Sequence, residues 1–189
     1  MWSYYMLTRY ARSNTIEEIL YGDDKIKRIQ ILRKPIYTIY ARLLELFSCF
    51  TFFQGLEERN IHELYHVKMI LHLDARVLEL EKDMVVRLHE YDEVASAETI
   101  EVDMKNREIP LTQLLARTES FMGEVKYNGY SASNNCCQDF VLCILLANGL
   151  YDAFYGTFVK QDVRELFSPF MIVSSNFVTN GVRWFYNWF

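Results

Sequence analysis

The stretch Asn134-Asn135-Cys136-Cys137-Gln138-Asp139-Phe140 constrains the fold more than any other, because it sets two thiols at a turn and runs straight into an apolar segment, Phe140 to Asn148. That segment has no polar face and stops at Gly149, the residue type usual just past a helix end. The pattern predicts a buried helix over residues 136–148. Asn134 or Asn135 is a good N-cap, so both cysteines fall in the first turn, where unpaired N–H groups and the helix dipole favour a thiolate. Such positions lower a thiol pKa and make a nucleophile. The plain alternative is two small side chains packed at the start of a core helix.

Cys137-Gln138-Asp139-Phe140, following asparagine, resembles the Asn-Cys-Gln-x-Phe signature of circularly permuted papain-like thiol hydrolases, the group that includes the lecithin retinol acyltransferase-like enzymes. The resemblance covers residues 60–150. It implies an α+β fold with a small antiparallel sheet packed on a central cysteine-bearing helix, and a thiol-dependent hydrolase or acyl transferase, a cysteine peptidase foremost. A histidine on an earlier strand precedes the cysteine helix in that group. Cys136 stands where the family pattern has asparagine, so either thiol is a candidate nucleophile. Similar signatures in proteins of large DNA viruses extend the implication to a component of a viral particle.

At 189 residues the chain reads as one domain, with a helical part over 1–60, the papain-like core over 61–150 and an aromatic extension over 151–189. The net charge of −5 argues against a general nucleic-acid binder. The N-terminus lacks a basic start followed by a long apolar core, and no run of about 18 uncharged apolar residues exists, so neither a secretory signal nor a spanning helix is expected. Four cysteines, two of them adjacent, fit reduced thiols in a cytoplasmic protein better than a disulfide framework. Trp2, Tyr4, Tyr5 and the run Trp184 to Phe189 are expected to pack either on the protein's own core or on a protein partner or second copy.

Along the chain, a short helix is expected from Asn14 to Gly22, and Lys25 to Lys34, with five basic residues and no acidic one, reads as a solvated edge strand. A helix follows over 36–54. Alternation over Val67 to Leu73 and Val77 to Glu81, either side of Asp74-Ala75-Arg76, predicts a hairpin, with Met84 to His89 a third strand. Placing Met69, Leu71, Leu73, Leu78 and Leu80 inward puts His66, His72, Glu79 and Glu81 together on the opposite face. Residues 90–103 read as an exposed acidic stretch, Pro110 opens a helix that ends before Gly123, and residues 161–167 form a short helix.

Neutral histidine suits the task of base for Cys137, and His66, with its order along the chain matching the permuted family, is the candidate, His72 standing in reserve. Glu81 or Glu79 would orient the imidazole. Gln138 or the helix-start N–H groups would hold an oxyanion. The substrate is then a peptide, amide or acyl compound, and neither cofactor nor metal is called for. A rival pattern shares the histidine: His62-Glu63-Leu64-Tyr65-His66 matches H-E-x-x-H, the zinc-hydrolase motif, whose chemistry requires both histidines on one helical turn. A third reading is a non-catalytic assembly protein with a hydrolase-like fold.

Overall fold

The computed structural model describes residues 24–35, 64–82, 86–92, 97–130 and 135–161. The architecture is α+β, built on a five-stranded antiparallel sheet. Its strands are β2 (Arg28–Pro35), β3 (Tyr65–His72), β4 (Val77–Lys82), β5 (Val86–Glu90) and β6 (Glu98–Val102), in the spatial order β5-β4-β3-β2-β6. A two-stranded ladder joins β1 (Lys25–Ile26) to β7 (Ile109–Pro110). Among the described residues four helices follow: α1 (Leu111–Met122), α2 (Glu124–Asn128), α3 (Cys137–Ala147) and α4 (Ala153–Val159).

Period-two alternation decides the faces. Ile29, Ile31, Val67, Met69, Leu71, Leu78, Leu80 and Leu88 lie on one face and form a core with Phe140, Val141, Ile144 and Leu145 of α3 and Leu111, Leu114 and Leu115 of α1. The register pairs Met69 with Leu80 and Leu71 with Leu78, so each apolar residue meets another across the ladder. The predicted hairpin is present and is closed by Leu73 N–H donating to Arg76 C=O at 2.9 Å. Helix α3 ends where expected: Gly149 has φ +66, a left-handed conformation that lets Leu150 N–H reach Leu145 C=O at 2.8 Å. Asn148 then ties α3 to α1, its Nδ2 donating to Ile144 C=O at 2.9 Å and to Leu114 C=O at 3.4 Å.

Two expectations are corrected. The basic run is no edge strand: β2 lies inside the sheet between β3 and β6, and Ile29, Ile31 and Leu32 are fully buried. Its charge is absorbed locally, since Arg33 Nε donates to Glu98 at 2.9 Å and its guanidinium sits 4.8 Å from the Tyr65 ring centroid and 4.3 Å from that of Phe158. The acidic stretch, in turn, contains β6, which pairs Ile100 with Ile31 and Val102 with Ile29. The expected helices over 14–22 and 36–54, nearly all of the helix over 161–167, and both aromatic ends lie outside the described residues.

Candidate functional site

The cysteine turn is held from three directions. Asn135 Nδ2 donates to the carbonyls of Lys126 and Gly129, each at 2.8 Å, while its Oδ1 accepts from Lys82 Nζ at 3.1 Å. Cys136, in an extended conformation, is the N-cap of α3. A capping box closes there: Asp139 N–H points to the Cys136 sulfur, and Cys136 N–H donates to Asp139 Oδ2 at 3.2 Å. Lys160 Nζ donates to the other Asp139 oxygen at 2.6 Å. Burial pushes the Asp139 carboxyl up, but the Lys160 hydrogen bond outweighs it, and the group ends below the usual carboxylate range.

The two thiols are unequal. The Cys136 thiol donates to Asp139 Oδ2 at 3.3 Å; its contact with the Cys137 thiol holds Cys136 below the ordinary thiol range, while the same contact and burial push Cys137 well above it. Of the two, Cys136 is the thiol shifted towards the thiolate, against the opposing Asp139 charge. Iodoacetamide followed by peptide mass spectrometry should show Cys136 modified ahead of Cys137 and Cys143, and Cys137→Ala should slow Cys136 by removing the contact with the Cys137 thiol. Modification of Cys137 first would refute the assignment.

Gln138 does not aim at an oxyanion. Its Oε1 accepts from Gln161 N–H at 3.0 Å and its Nε2 contacts Gln161 Oε1 at 3.5 Å, so the side chain anchors the segment after α4. Gln161 Oε1 also accepts from Tyr65 N–H at 2.9 Å, joining that segment to the start of β3.

The other candidates lie across the sheet. Val67 points into the core beside Cys137, so His66, one residue earlier, points the other way. Its Nε2 meets Glu81 Oε2 at 2.8 Å. On the same face Lys68 Nζ donates to Glu79 Oε1, and His89 Nε2 meets that oxygen at 3.1 Å. Burial pushes Glu81 up, yet the His66 hydrogen bond and neighbouring positive charge bring it down to about 2. Burial likewise raises Glu79, but the hydrogen bonds from His89 and Lys68 leave it low; His89 is raised in return by Glu79. His72 is on this face too, meeting Gln30 Oε1 at 2.8 Å and lying beside Arg28, with burial and then the Arg28 charge lowering its pKa.

The structure thus brings His66 and Glu81 together as expected but separates both from Cys137. By alternation His66 and His72 project from the face opposite the α3 core, while the Cys137 thiol meets the backbone of Val67, and among the described residues no hydrogen bond joins Cys137 to either histidine. Of the H-E-x-x-H pattern, Tyr65 and His66 are strand residues rather than helical ones, and His62 and Glu63 lie outside the described residues. Lys82 is a residue that pattern reading missed. Fully buried on the cysteine side, it donates to Lys126 C=O at 2.6 Å, and desolvation lowers its pKa to about 8. His89 was within reach of the alternation, which places it and Arg87 with Glu79 and Glu81 once the third strand is drawn. No protein family, curated protein or solved structure matches this chain. Among the described residues, no helix is long and apolar enough to cross a membrane.

Proposed function

We propose that this chain is a non-catalytic binding or assembly protein, in which a helix-on-sheet core of the permuted papain-like type serves as a scaffold and the cysteine turn as part of its packing. The observation that supports it is the placing of the described histidines on the sheet face opposite the α3 core, together with a Cys137 thiol that is buried and pushed up rather than activated. A proton acceptor on the wrong face cannot serve a nucleophile, because general-base transfer needs hydrogen-bond reach or one intervening water. The partner is another protein or a second copy, as the aromatic ends of the sequence suggest, and a viral particle is one such assembly.

A second reading is favoured by the acidified Cys136 thiol at a helix start: a thiol hydrolase or acyl transferase whose nucleophile is Cys136, acting on an acyl, peptide or amide substrate. The two are separated by incubating the full chain with activated esters and peptide amides, then searching for a covalent acyl adduct by mass spectrometry. The scaffold reading expects no turnover, and His66→Ala should leave Cys136 alkylation unchanged. Turnover that disappears in both Cys137→Ser and His66→Ala, with melting temperatures preserved, would overturn it and restore the original dyad. Turnover with an adduct on Cys136 would transfer the function to the second reading.

A further inference from the structure

The face of the sheet turned away from α3 carries a group of side chains that neither reading uses. Glu79 and Glu81 alternate along β4, and His89 on β5 stands directly opposite Glu79. One donor atom from each lies within 4.8 Å of the other two. Ligand atoms around a tetrahedral metal are roughly 3.4 Å apart, as bond lengths near 2.1 Å require.

We propose that Glu79, Glu81 and His89 form a binding site for a divalent transition-metal ion of the zinc type. The donor set supports this class: one imidazole nitrogen with two carboxylates suits zinc and its neighbours, whereas magnesium and calcium take oxygen almost exclusively. The carboxylates are already oriented. Lys68 and His89 both bond Oε1 of Glu79, and His66 bonds Oε2 of Glu81, so among the described residues Glu79 Oε2 and Glu81 Oε1 carry no hydrogen bond and are available to a metal. Lys68 and His66 are then outer partners that fix the ligating groups, the role such donors play around metals generally. The two carboxylates share this face with the Lys68 ammonium and with the Arg87 guanidinium, which stands opposite Glu81. Access agrees too, since the His89 side chain is 46% exposed while that of Glu79 is 5% exposed, so the site opens to solvent at one rim and is backed by the sheet at the other. His89 Nε2 exchanges its hydrogen bond to Glu79 for the metal.

The test titrates the full chain with zinc by calorimetry and with cobalt(II) by absorption spectroscopy. One equivalent should bind, without a thiolate-to-metal charge-transfer band. His89→Ala and Glu81→Gln should each weaken binding by about tenfold or more, and His66→Ala should weaken it by a similar factor through Glu81. Cys136→Ser should leave it unchanged. Glu81→Gln is isosteric, so it carries the decision should His89→Ala fail to fold. Absence of saturable binding, binding that follows the cysteines, or full affinity in Glu81→Gln would overturn the proposal.

Discussion

Raising the pH from about 8 to about 10.5 should stabilise this protein, by about 3 kcal/mol at most, relative to a Lys82→Met variant. Lys82 is fully buried, and desolvation lowers its pKa to about 8 from the ordinary lysine value. The unfolded chain therefore binds the proton more tightly than the native one does. Between the two values it holds more protons, and unfolding free energy must rise with pH there. Below about pH 8 the ammonium is buried at a cost; above it the neutral amine still has two hydrogens for Lys126 C=O and Asn135 Oδ1. Thiols titrate in the same window, so the quantity to measure is the difference between wild type and Lys82→Met in denaturant unfolding across the range. Parallel curves would show that Lys82 has an ordinary pKa in the folded state.

The second large effect is at Phe140. Phe140→Ala should cost about 3–5 kcal/mol, as truncation of a buried aromatic generally does. The ring is fully buried, meets Tyr127 edge-on at 6.0 Å between centroids and lies 5.6 Å from the Lys82 ammonium, while Phe140 N–H donates to Cys136 C=O at 3.0 Å. It joins the helix start, the end of α2 and the sheet. Phe140→Leu keeps much of the volume and should lose less than half as much. Guanidinium unfolding of the three proteins decides it, and a loss under about 1 kcal/mol for alanine would mean that the cavity collapses freely.

Local signals carried the reading where they were strong and unopposed. The apolar run after the cysteines, the Gly149 stop, the hairpin at Asp74-Ala75-Arg76 and the helix after Pro110 all stand where periodicity and turn chemistry put them. Strands β2 and β6 were misread because their pairing is with each other and with β3, far along the chain, and neither leaves a clean local pattern. In β2 consecutive Ile31 and Leu32 are both buried, which breaks alternation. In β6 only Ile100 and Val102 face the core, among Glu98, Thr99 and Glu101. The site was misread for a different reason. Alternation alone already grouped His66 with Glu79 and Glu81 away from the apolar face, and the motif resemblance drew the histidine back towards the cysteine. The His66–Glu81 contact followed from the period, and the dyad did not. Lys82 left no signal, since a lysine at the end of an exposed-looking strand is ordinarily solvated.

The inner position of β2 has a bearing on synthesis. This strand leaves the ribosome before either of its sheet neighbours exists, so Ile29, Ile31 and Leu32 spend part of translation as an unpaired, strongly β-forming segment, the kind of sequence that seeds aggregation. Arg28, Arg33 and Lys34 sit within and at the end of that segment. These basic side chains thus act as a set of gatekeepers, keeping a nascent hydrophobic strand in solution until β3 and β6 arrive to enclose it.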